Sequence, residues 1–107
     1  MDKLEYLKVH IYQGLENLND GFDVSSIYYF SEPDFEKVLD RIEQKGLGLY
    51  GIEPWINGNF FDVKSYEEYN TICTDSNWYR TAFEEFKNCN KSLLYAASYH
   101  IPGDLID

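Results

Sequence analysis

Two histidines, His10 and His100, and two cysteines, Cys73 and Cys89, stand beside 19 carboxylates in a chain of 107 residues. Two imidazoles working as acid and base could run ribonuclease-type proton transfer. Nothing in the spacing brings His10 to His100, and a phosphate substrate would meet a formal charge of −10. Zinc needs Cys and His converging at ligand spacing. Cys73 and Cys89 have no His near them in sequence, so no metal and no cofactor are expected. The run Lys45-Gly46-Leu47-Gly48-Leu49-Tyr50-Gly51 has glycines but lacks the Lys-Ser/Thr pair and following helix of a phosphate loop. A carboxylate pair for glycoside hydrolysis can be drawn on paper, but no Asp or Glu is singled out by its context. The chain is expected not to be an enzyme. The alternative is a small hydrolase or nuclease-like enzyme using carboxylates with His10 or His100.

Charge and aromatic content point instead to binding. Only 9 Lys and Arg offset the acids, yet 18% of residues are aromatic, including 10 Tyr, 7 Phe and 2 Trp. Disordered acidic tails lack such residues. The chain is therefore expected to fold as one domain, 1–107, with its negative charge outside. An acidic surface rich in tyrosine suits a basic protein and repels nucleic acid. The start, MDKLEYLKVH, has no apolar signal-peptide core, and no apolar run reaches the ~18 residues of a membrane helix. A cytoplasmic location and reduced thiols are expected.

The elements that must position these groups follow from apolar spacing. Leu4, Leu7, Ile11, Leu15 and Leu18 predict a helix over about 2–18, although Leu7, Val9 and Ile11 also alternate as a strand would. Residues 22–30 read as a short strand or a helical turn. Ser31 as N-cap, Pro33 in the first turn, the stripe Phe35, Val38, Leu39 and Ile42, and the stop at Gly46 predict a helix over 32–45. Asn57-Gly58, between the apolar runs 47–56 and 60–63, predicts a hairpin with a two-residue turn. A helical turn is expected at 66–70. A helix over 76–88 has the inner stripe Tyr79, Ala82, Phe83 and Phe86, with Arg80 and Glu84 paired on its wet side. A strand over 93–100 ends at Pro102-Gly103. The fold class is α/β or α+β, with helices packed on a short, mostly antiparallel sheet.

The hairpin carries the first candidate site. Its turn sets Trp55 opposite Phe60, Glu53 opposite Asp62 and Ile52 opposite Val63. One face then holds Tyr50, Ile52, Ile56, Phe61 and Val63, and the other Glu53, Trp55, Phe60 and Asp62. Like charges opposite one another are destabilising, and a basic partner would resolve that repulsion while the aromatic rings anchor it. The structural alternative is a helix covering Trp55 and Phe60, or a bulge at Pro54 that breaks the register. A second candidate is the run Tyr66, Glu67, Glu68 and Tyr69, two acids between two tyrosines. A third is the acidic row Glu32, Glu36, Asp40 and Glu43, which also reads as a solvated helix face.

The segments Gly48-Leu49-Tyr50-Gly51-Ile52-Glu53-Pro54-Trp55, Phe61-Asp62-Val63, Asn77-Trp78-Tyr79 and Tyr95-Ala96-Ala97-Ser98-Tyr99 resemble those of small bacterial immunity proteins. These proteins are the antidotes of polymorphic or contact-dependent growth inhibition toxins. The resemblance lies in size, acidity, aromatic content and hairpin texture. It implies a cytosolic, non-enzymatic inhibitor that binds a cognate toxin domain, often a basic nuclease. It transfers no binding residue, so the candidate residues rest on the chain itself.

Overall fold

In the computed structural model, which describes residues 1–106, strand β1 (Gly48–Ile56) is the centre of a four-stranded antiparallel sheet. One of its edges pairs with β4 (Leu94–His100), from Gly48 opposite His100 to Trp55 opposite Leu94. The other edge pairs with β2 (Asn59–Phe60) and then with β3 (Lys64–Ser65). Helices α2 (Glu32–Gln44) and α3 (Ser76–Cys89) cover one face of this sheet. The class is α+β.

Both long helices form where their caps and stripes place them. Ser31 accepts from the Asp34 N–H, Pro33 sits in the first turn, and Gly46 follows the end of α2 at φ +68°. The Asp75 carboxylate accepts from Asn77 N–H at the start of α3. The Thr71 hydroxyl and that N–H hold the Asp75 carboxyl below its usual range. The stripes meet on Tyr95: Phe35 stacks on its ring at 5.2 Å and Phe83 meets it edge-on at 5.0 Å. All three rings are buried, each contributing roughly 1.5–3 kcal/mol by transfer from water.

The N-terminal helix is shorter than the leucine spacing implied. Helix α1 covers Lys3–His10, opened by a capping box in which the Asp2 side chain accepts from the Glu5 N–H. The chain leaves helical geometry after Ile11, where Tyr12 N–H reaches back to the Leu7 carbonyl at 2.7 Å. Gly14 then lies at φ +81°, outside any helix. Ile11 and Tyr12 are still buried. Arg41 of α2 fixes this exit by donating to the carbonyls of Ile11 and Gln13. Residues 22–30 are mostly irregular rather than a strand or helical turn; only Phe30 pairs, exchanging two backbone hydrogen bonds with Tyr95. Beyond this bridge the outer edge of β4 from Ala97 to Tyr99 has no neighbouring strand among the described residues. The Lys3 Nζ donates to the Tyr99 carbonyl there at 2.6 Å. A last turn of helix, α4 (Gly103–Ile106), was not anticipated.

The hairpin turn lies at Asn57-Gly58, both at positive φ (51° and 76°) as a type I′ turn requires. Trp55 faces Phe60 and Ile56 faces Asn59. The register then slips: Ile52 faces Lys64, not Val63, and Gly51 faces Ser65. Phe61 and Asp62 both aim their N–H groups at the Pro54 carbonyl, so the second strand carries one extra residue, a β-bulge. The expected opposition of Glu53 and Asp62 is therefore corrected. A second bulge lies on β1, where the pairing with β4 shifts between Leu49 and Gly51. It turns Tyr50 out to solvent, 41% exposed, instead of leaving it on one face with the buried Ile52.

Candidate functional site

The face of the sheet away from α2 and α3 is the side on which polar and small residues alternate with buried ones. On it lie Gly51, Glu53 and Trp55 of β1, opposite Ser98, Ala96 and Leu94 of β4. The intervening Ile52 and Pro54 point to the helices, opposite Ala97 and Tyr95. Among the described residues no helix packs over the Gly51–Trp55 stretch of the outer face. Residues 22–29 cover one end of it instead: Phe22 and Tyr29 pack on Trp55 with ring centroids 5.6 and 5.5 Å away. Trp55 is thus half-buried, not the freely exposed anchor expected, while Phe60 opposite it is 55% exposed. The Tyr29 hydroxyl donates to Asp23 at 2.6 Å, and burial together with that carboxylate pushes its pKa well above the usual range.

Glu53 is oriented by its neighbour on the same face. The Trp55 indole Nε1–H donates to Glu53 Oε2 at 2.8 Å, leaving Oε1 without a partner among the described residues. Beside it a groove of about 300 Å³ runs over Gly51, Ala96 and Ser98, between Ile27 and Val63. Beyond the groove the Tyr50 hydroxyl meets His100 Nδ1 at 2.9 Å, and the Tyr66 ring lies 6.3 Å from that of Tyr50. Asp62 is exposed at the bulge, its carboxylate accepting from the Val63 N–H at 2.8 Å.

The acidic tyrosine run divides by role. Tyr66–Tyr69 forms a 3-10 turn ended by Asn70 at φ 54°. Glu68 accepts from the Ser65 N–H at 2.7 Å, so it serves the turn. Tyr69 packs on Trp78 and donates to Glu85 of α3 at 2.5 Å. That hydroxyl and the Lys64 ammonium hold the Glu85 carboxyl below its usual range. Glu67 and Glu68 are exposed, while Tyr66, like Tyr69, is half-buried against the core.

Among the described residues the ion pairs all engage acids of α2 or α3. Arg80 bridges α3 to α2, at 2.7 Å from Asp40 and 2.9 Å from Glu43. It does not form the expected pair with Glu84, which takes Lys87 at 3.1 Å. In the row Glu32, Glu36, Asp40 and Glu43, the last two share the single charge of Arg80, and the first two are in no ion pair among the described residues. Lys64 pairs with Glu85 at 3.0 Å. Among the described residues, Glu53, Asp62 and Glu67 are in no ion pair.

No protein-family model, curated protein or solved structure matches the chain. The two histidines have separate partners. His10 packs on Tyr6 at 4.5 Å and His100 bonds Tyr50. Cys73 and Cys89 are free. Among the described residues no three His, Cys, Asp or Glu are grouped to hold a metal, and no helix is long and apolar enough to cross a membrane. Sequence reasoning named Glu53, Trp55, Phe60, Asp62 and the 66–69 run. It missed Gly51, Ser98 and Ile27, named His100 only for the enzymatic alternative, and placed Tyr50 and Val63 on the wrong face. The polar alternation of Ser98 and His100 along β4 was the available signal for an uncovered face.

Proposed function

We propose that this protein is a non-enzymatic binding domain whose open sheet face docks on a basic protein domain and neutralises it, as bacterial immunity proteins do with their toxins. The supporting observation is the division of charge. Among the described residues Lys64, Arg80 and Lys87 pair with acids of α2 and α3, and Lys3 at the β4 edge is held by the Tyr99 carbonyl and the Tyr50 ring, while Glu53, Asp62 and Glu67 on or beside the sheet face are in no ion pair. Exposed Tyr50, Phe60 and Val63 lie among these acids. Charge steers the encounter and fixes orientation, and the rings and Val63 supply the area that slows dissociation.

The test begins with partner capture at low salt on the wild-type protein and on the Glu53→Gln, Asp62→Asn double variant. A basic domain should be retained by the wild type and released by salt. The double variant should hold it at least about tenfold more weakly, since unpairing one buried charge costs about 2–5 kcal/mol. Co-expression should restore growth to cells that the captured domain alone arrests. A partner held equally well by both proteins, or one without excess positive charge, overturns the reading.

A further inference from the structure

The groove beside Glu53 has a shape and a charge that specify more than a basic surface. Its floor is made of small residues. Gly51 contributes no side chain, and a Cβ there would come within 3.6 Å of Ser98 Oγ and 3.9 Å of Val63 Cγ2, so the missing atom helps to keep the groove open. Ala96 adds one methyl group and Ser98 a hydroxyl. The flanks are aliphatic, Ile27 at 37% exposure and Val63 at 46%. The one charged group lining the groove is Glu53. Its carboxylate is held in place by the Trp55 indole through Oε2, and Oε1 stays open.

We propose that this groove receives one arginine or lysine side chain of the partner, its aliphatic stem between Ile27 and Val63 and its cationic head on Glu53. The proposal rests on the reading of the protein as a binder of a basic domain and names the contact at its centre. Covering Glu53 with a neutral surface would strand a carboxylate that has no ion pair. A long cationic side chain covers the groove and supplies the counter-charge together. A guanidinium has donors enough for both Glu53 Oε1 and the Ser98 hydroxyl, which has no hydrogen-bond partner among the described residues.

The test uses n-butylguanidinium as the probe, followed by two-dimensional NMR of the full chain. Saturable shifts should concentrate on the Gly51, Ala96 and Ser98 amides and on the Trp55 indole N–H. The neutral analogue n-butylurea should bind at least about fivefold more weakly. Glu53→Gln keeps an acceptor for the indole and should lose the charge preference. Ser98→Leu, at an exposed strand position, should fill the groove and abolish the saturable shifts while the rest of the spectrum is kept. Shifts spread evenly over the acidic surface, equal binding of the urea, or an unaffected Glu53→Gln would overturn the groove as a cation site. In that event a basic protein domain that still binds leaves the broader reading standing. If no basic domain binds at low ionic strength, that reading falls by itself, whatever the probe does.

Discussion

Three tyrosines with the same ring and different hydroxyl environments allow a sign test of the core. Tyr79 and Tyr95 are fully buried, and their hydroxyls have no hydrogen-bond partner among the described residues. Tyr29 is equally buried, but its hydroxyl donates to the Asp23 carboxylate at 2.6 Å. Replacing each by Phe keeps the ring contacts, including the stack of Tyr95 on Phe35. For Tyr79 and Tyr95 the change removes a desolvated polar group that gains nothing in the folded state. An unsatisfied buried group costs roughly 1–3 kcal/mol, so each variant should be more stable by about 1 kcal/mol. That corresponds to a rise of about 4–8 °C in Tm for a domain near this size. For Tyr29 the change breaks a hydrogen bond to a charged acceptor, worth roughly 1.5–3 kcal/mol. Tyr29→Phe should therefore be less stable by about that amount. Urea unfolding at constant m reads all three on one scale. Loss of roughly 1 kcal/mol or more in both Tyr79→Phe and Tyr95→Phe would refute the reasoning, because it would mean that those hydroxyls are bonded, for instance to buried water.

Other outcomes follow from the same geometry. Burial, with Glu43 nearby, pushes the Tyr79 hydroxyl up to about 12 from an ordinary value of 10.0. The unfolded chain gives up that proton first, so stability is intact below pH 10 and falls between about pH 10 and 12. Tyrosinate absorbance rising together with loss of near-UV circular dichroism would agree, and ionisation of Tyr79 near pH 10 in a folded chain would not. Arg80→Ala should cost about 1 kcal/mol, more at low salt than at high, since it leaves Asp40 and Glu43 facing each other without their cation. Equal loss at both salt concentrations would make the contribution packing instead of charge. Gly48→Ala should destabilise strongly, about 2 kcal/mol or more, because its Cβ would lie 2.8 Å from the Cys73 carbonyl oxygen. A thermal melt unchanged within 1 °C would show that the Cys73 loop gives way freely.

The parts of this fold that were legible in the sequence are those specified within a few residues. Ser31, Pro33 and Gly46 bound α2, Asp75 opens α3, and Asn57-Gly58 turns the hairpin, each through chemistry local to the chain. The misreadings arise where distant segments decide. Leu15 and Leu18 share spacing with α1, but Gly14 and the carbonyls bound by Arg41 end the helix earlier. The slip that separates Glu53 from Asp62 falls at Pro54, which lacks an N–H and where the sequence offered a register-breaking bulge as the alternative. Arg80 chose acids one helix away over Glu84 at i+4. Half of the candidate site was named from the sequence. The half that was missed comes from β4 and from the segment that lays Phe22 and Tyr29 on Trp55, which no local pattern reveals.

The single bridge between Phe30 and Tyr95 has a bearing on how this protein stays in solution. An unpaired strand edge is a template on which another chain can add a strand, and addition repeated is fibril growth. The edge left open on β4 is only three residues long, Ala97 to Tyr99, and the ammonium of Lys3 already holds its last carbonyl. At neutral pH a formal charge of −10 keeps copies apart. The net repulsion vanishes near the sequence pI of about 4.5. Handling the protein near that pH should promote association through this edge and light scattering should rise there first; Lys3→Ala, compared with the wild type each at its own point of zero net charge, should scatter more strongly.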